Sequence, residues 1–254
     1  MLAATCLYFI GLLRVRGHNR LAPSLHRIIS FWLGLAALFF ALIWPFDVLG
    51  SISFAAHMSQ HMLLIAVGAP LLALARPVPL LIAGLPRPLR QLHRWSGFLY
   101  RIRSPMNRPA TAFSLHAFII WVWHSPVLFE LALHHAWIHV AEHLCFLVSG
   151  LLFWGSIQRN CGVDGKGYGM AILWLLATIM HTGLLGALLT FSPKVLYNFY
   201  QAGNHAFLTP LEDQQLAGLV MWIPGGLCYL VAALSYAAAW LQLGLREDGS
   251  KTMS

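Results

Sequence analysis

Charge is what this chain has least of. Of its 254 residues only 9% are Asp, Glu, Lys or Arg, while 59% are hydrophobic. A soluble domain carries about 25% charged residues, so this composition cannot furnish a water-facing surface. The class it leaves is a polytopic helical membrane protein. Long polar stretches are missing too: none exceeds about thirty residues, which leaves no room for a separate soluble domain. The sequence reads as one integral membrane domain over 1–254. Cysteine is scarce and scattered. Cys6, Cys145, Cys161 and Cys228 form no C-x-x-C pair, which argues against a disulfide framework and against a thiolate metal site. The net charge of +8 invites a nucleic-acid reading, but the basic residues sit in short loops between apolar runs. That is the signature of membrane topology and not of a nucleic-acid surface.

Apolar runs long enough to span lie at about 26–44, 52–75, 110–130, 137–157, 168–191 and 212–243. A bilayer takes roughly 20 apolar residues. A shorter run, 2–13, is thin for a crossing and is counted as a curtailed first span. It is not a signal peptide, because Arg14 and Arg16 follow the apolar stretch instead of preceding it. The expectation is an all-α bundle of about seven transmembrane helices. With the N-terminus outside and the C-terminus cytoplasmic, every Lys and Arg except Lys194 falls on the inner side, as the positive-inside rule requires. The inner loop 86–103 places Leu89, Leu92, Phe98, Leu99 and Ile102 near helical spacing among Arg90, Arg94 and Arg101. It reads as an amphipathic helix on anionic headgroups. The last span opens on a capping box, Thr209-Pro210-Leu211-Glu212. Pro224-Gly225-Gly226 predicts a kink partway along it.

Inside these runs lie the chain's most informative residues. His57-Met58-Ser59-Gln60-His61-Met62 and His139-Val140-Ala141-Glu142-His143 each place two imidazoles four apart, one turn apart on one helix face. Ionisable groups at such depth are costly and face a protein interior where they carry function. The topology puts His57, His61, His139, His143 and His181, with Met58, Met62, Met180 and Met221, at a common depth in the outer leaflet. His124, after two tryptophans, reads as an interfacial anchor. His134, His135 and His205 read as loop residues, and His18, His26 and His93 belong to the basic inner surface. His116 falls in the inner half of its span, away from the group.

Imidazole suits copper, zinc and iron, and thioether selects Cu(I). His ligands edged by methionines therefore fit copper that must be held and then released, with Glu142 orienting an imidazole from behind. The methionines also have a plain reading as core packing. An isolated His pair can likewise serve as an interhelical hydrogen-bonding device. Two further chemistries compete. His139 to His143 matches the H-x-x-E-H pattern of some zinc peptidases, but no acidic third ligand stands at a suitable depth. Haem between His pairs of two helices is the other, although i,i+4 pairs are too closely spaced to stack two haems.

Longer stretches carry a family resemblance. His57 through Leu64, Ala69-Pro70-Leu71-Leu72, Ala75-Arg76-Pro77, Trp121 through Pro126, His139 through His143 and Phe153-Trp154 occur in the order expected. Asp213 through Gly218 and Met221 through Gly225 complete the series. Over about residues 26–243 the chain resembles the multi-spanning cytochrome c oxidase assembly factors of the CtaG type, associated with caa-type oxidases. The resemblance implies a non-enzymatic membrane factor of the bacterial cytoplasmic membrane that helps to build haem–copper oxidase. It implies a partner as well, the oxidase catalytic subunit, to which copper would pass. The alternatives are a haem-binding electron carrier and a metal-free assembly scaffold.

Overall fold

The computed structural model describes residues 1–15, 23–91, 108–161, 167–202 and 208–251, and it is helical throughout, with no strand among the described residues. In chain order, α1 is Leu2–Val15, α2 Leu25–Leu42, α3 Phe46–Gly50 and α4 Phe54–Met62. A π-helical segment, Leu63–Gly68, joins α4 to α5, Ala69–Ala75; α6 is Val78–Gly84 and α7 Arg87–Gln91. Next come α8 Pro109–Trp123, α9 Pro126–His134, α10 Ala136–Asn160 and α11 Tyr168–Thr190. After a 3₁₀ turn at Asn198–Ala202, α12 Pro210–Val220 passes through a second π-helical segment, Met221–Gly225, into α13 Gly226–Lys251.

Five helical segments are long and apolar enough to cross a membrane: Leu25–Gly50, Phe54–Ala75, Ala136–Asn160, Tyr168–Thr190 and Pro210–Leu245. α8 and α9 make a sixth if counted as one broken span, since they meet at a bend of 72°. The expected straight span over 110–130 is therefore folded at Trp123–Pro126. A seventh would have to be α1, whose 14 residues reach about 21 Å, short of a roughly 30 Å hydrocarbon core. Of the expected amphipathic segment 86–103, Arg87–Gln91 is helical and 92–103 lies outside the described residues.

Helix α10 is the spine of the bundle. Glu142, Phe146, Ser149, Gly150, Phe153, Trp154 and Ile157 are buried along it, a three-and-four spacing that forms one continuous face. That face packs against α5, the first π segment and α8. The π segment has a local cause. Proline has no N–H and its ring crowds the carbonyl four residues back, which for Pro70 is that of Ala66. The turn widens, and the Ala69 amide donates to the Leu64 carbonyl five residues back. The next donor in that series would be residue 70, which is proline, so the Ile65 carbonyl is left over. Trp154 Nε1 donates to it at 2.9 Å. The second π segment likewise contains Pro224, at the position where a kink is expected, and Pro210–Leu245 runs on as one span. The capping box at Thr209 forms: Thr209 Oγ1 accepts from the Glu212 amide at 3.3 Å and Glu212 Oε2 accepts from the Thr209 amide at 2.8 Å.

Candidate metal centre

Two helices bring the central groups together. On α4, His57 and His61 lie one turn apart with ring centroids at 4.4 Å. On α10, His139 and His143 do the same at 4.2 Å. Across the helix pair His57 lies 5.2 Å from His139 and 5.9 Å from His143, and His61 lies 5.3 Å from His143. Glu142 stands between the two pairs. Its Oε2 is 3.9 Å from His57 Nε2 and its Oε1 3.8 Å from His61 Nε2. His57, His61, Glu142 and His143 are all buried, and each offers a ligand atom within 4.8 Å of the others.

Among the described residues these polar atoms find no hydrogen-bond partner. Nε2 of His57, His61, His124, His139 and His143, together with both Glu142 oxygens, are buried without a hydrogen-bond partner. Each such group costs about 1–3 kcal/mol when left unsatisfied, and together they make a group that could hold a metal ion. His124 shows how an imidazole is readied. Its Nδ1 lies 2.7 Å from the Ile120 carbonyl. A carbonyl only accepts, so Nδ1 carries the proton and Nε2 presents a bare lone pair. Three or four imidazoles and one carboxylate form a donor set suited to copper, zinc or iron.

The surroundings fix this set in place. Asp213 of α12 caps α4: Oδ1 accepts from Ser53 Oγ at 2.9 Å and from the Ala55 amide at 3.1 Å, and Oδ2 accepts from the Phe54 amide at 2.6 Å. An anion at a helix N-terminus also interacts favourably with the positive end of the helix dipole. Gln60, between the two histidines, donates to the Ala41 carbonyl at 2.7 Å. Over the site, Phe54 stacks on Tyr200 at 5.4 Å and Phe129 meets Tyr197 at 4.4 Å. Tyr197 donates to the His124 carbonyl and Tyr200 to that of Gly50, both at 2.8 Å. Both phenols have their pKa raised by burial. His139 is only half-buried, and His134 and His135 before it are exposed. The group therefore reaches the surface along the start of α10.

The sequence-derived candidates divide. His57, His61 and His143 meet, with His139 at their edge. His181 is not with them: its ring lies against Phe113 at 5.6 Å. Met180, its neighbour in the chain, is 75% exposed and turns outward from the bundle. Met58 and Met221 are fully buried in the apolar core, and the Met62 sulfur fills the space over Gly225. Two residues come closer than their sequence reading suggests. Glu142 stands among the imidazoles instead of behind one. His124, read as an interfacial anchor, is buried with its ring 5.8 Å from that of His61. The bend at Trp123–Pro126 accounts for that position, and the Ser125-Pro126 step just after His124 was the available signal.

The fold and this group define a multi-pass helical membrane protein with a buried histidine–glutamate centre able to hold a metal ion. The chain belongs to the cytochrome c oxidase caa3 assembly factor family, whose model matches residues 6–243. An uncharacterized protein of Mycobacterium bovis is 28% identical over 237 residues, which cover 87% of this chain and 36% of that protein. An uncharacterized protein of Mycobacterium leprae is 26% identical over 258 residues, covering 95% and 38% respectively. The chain thus spans little more than a third of the length of these relatives. No solved structure matches it.

Proposed function

We propose that this protein takes up copper at the outer face of a bacterial cytoplasmic membrane and passes it to the catalytic subunit of a cytochrome c oxidase under assembly. It performs no catalytic turnover. The copper is cargo, held by His57, His61 and His143 with Glu142, while His139 receives it at the surface and His124 completes the shell from α8. The orientation rests on the inner-side bias of Lys and Arg. The observation that carries the reading is the buried group of His57, His61, Glu142 and His143, whose ligand atoms lie within 4.8 Å of one another, with Nε2 of each imidazole and both carboxylate oxygens lacking a hydrogen-bond partner among the described residues. Four imidazole rings within 6 Å of their neighbours favour a compact ion over a haem, whose macrocycle needs a slot between its axial ligands.

The test is metal analysis with an optical spectrum on the purified protein, and on His57→Ala combined with His61→Ala. Stoichiometric copper that the double variant loses supports the proposal. A Soret band would replace it with the haem reading. Absence of both metal and haem, with oxidase subunits still co-purifying, would leave a scaffold.

A further inference from the structure

Midway along α10, below the Glu142 group, a second set of buried polar atoms is unaccounted for. His116 of α8 is wholly buried, and its Nδ1 lies 2.9 Å from Ser149 Oγ. Ser149 Oγ has one proton, which it donates to the Phe146 carbonyl at 3.2 Å, so it accepts from His116 Nδ1–H. The lone pair is then left on Nε2, which is buried and has no hydrogen-bond partner among the described residues. His181 of α11 faces the same place. Its ring touches Phe113, one turn before His116 on α8, and it lies within electrostatic reach of His116. Both His181 nitrogens are buried and unpartnered. Phe153 closes the space by stacking on His116 at 5.4 Å.

The two sets are neighbours. From Glu142 to Ser149 is seven residues of one helix, about 10 Å at 1.5 Å per residue. A single ring, Phe146, stands between them, 4.6 Å from His61, while its own carbonyl receives the Ser149 hydroxyl. We propose that His116 and His181 form a second ion site, one stage deeper in the bundle than the Glu142 group, and that it takes a soft monovalent cation of the Cu(I) class. The donor set decides the charge. The Glu142 group supplies a carboxylate that can offset a divalent ion, whereas the deeper pair supplies two neutral imidazoles and no anion. The cost of burying an ion grows with the square of its charge, so a divalent ion is disfavoured there. A two-nitrogen set also matches the low coordination number that d¹⁰ monovalent ions accept.

The inference rests on the copper reading of the Glu142 group, and its test separates the two. Ag(I), a redox-inert probe of the same class, is titrated into the purified full chain, into His116→Ala, and into His57→Ala combined with His61→Ala. The expected result is two equivalents in the wild type and one in each variant. Two equivalents retained by His116→Ala overturns the deeper site. One equivalent in the wild type, lost only in the His57/His61 variant, also overturns it and leaves the Glu142 group intact. One equivalent lost only in His116→Ala upholds the deeper site while the Glu142 reading fails, and no binding at all overturns both. His181→Asn, at a half-buried position, gives the same comparison if His116→Ala does not elute as a folded species.

Discussion

Asp213 holds the first turn of the helix that carries His57 and His61: its carboxylate accepts the Phe54 amide at 2.6 Å. The capping residue belongs to α12, about 160 positions further along the chain. The Glu142 group is thus positioned by three helices, although only two of them contribute its central ligands. Asp213→Ala leaves the Phe54 and Ala55 amides and the Ser53 hydroxyl without their acceptor. Loss of about 2–3 kcal/mol of stability is expected from a missing cap plus buried orphan donors. Asp213→Asn should lose less, since one side-chain oxygen remains. Thermal unfolding in detergent, with metal content beside it, checks the order. Equal stability of the two variants would contradict the capping role.

Glu142→Gln keeps the shape of the side chain and removes its charge. Divalent metal affinity should fall at least roughly 10–100-fold, the range seen when even an outer-shell partner is lost, whereas Ag(I) binding at the deeper pair should be unchanged. Met180→Leu is the matching control. It alters a thioether that turns away from the bundle, so metal content should stay at the wild-type level.

Metal stabilises a fold that binds it, by about 2.7 kcal/mol when the free ion exceeds its dissociation constant a hundredfold. Copper should therefore raise the unfolding temperature of the wild type, and a chelator should reverse the rise. In His57→Ala combined with His61→Ala the chelator should have little effect. A shift of the same size in that variant would place the stabilising ion elsewhere.

Two glycines predict contrasting outcomes. A Cβ on Gly218 would meet the Gly186 carbonyl and the backbone amide and hydroxyl of Thr190, all fixed parts of α11. Gly218→Ala should separate α11 from α12 and leave little folded protein. A Cβ on Gly225 would meet the Met62 sulfur at 2.6 Å, the end of a flexible side chain that can move aside. Gly225→Ala should fold, with a destabilisation of about 1–3 kcal/mol for overpacking. Expression and gel-filtration profiles of the pair distinguish them.

Trp154→Phe withdraws the donor that serves the Ile65 carbonyl. The expected cost is about 1–3 kcal/mol for an orphaned buried acceptor, read as a lowered unfolding temperature. Metal stoichiometry should be retained, because Trp154 lies beyond the ligand layer.

Much of this arrangement could be read from the chain, and the limits have physical causes. Spacing alone puts His57 with His61 and His139 with His143, because i and i+4 share a helix face whatever surrounds them. The capping box at Thr209 and the break at Pro224 are equally local. What spacing cannot supply is the rotation of each helix about its own axis. Met180 and His181 are adjacent in the chain, so about 100° separates their directions, and neither joins the Glu142 group. His124 depends on a further unknown, the 72° bend after α8. Depth inferred from topology separated His116 from His181, yet α8 packs on α11 and the His181 ring lies against Phe113, one turn before His116.

The gradient of exposure along the start of α10 sets the manner in which an ion would come in. At His134 and His135 a cation still keeps its water shell. At half-buried His139 it can exchange the first of those waters for a nitrogen, and past that point the remaining waters are replaced donor by donor. Dehydration spread over several small steps has no single high barrier, so arrival and departure can both be fast. An ion held in a site approached this way would exchange more readily than one sealed in a closed cage.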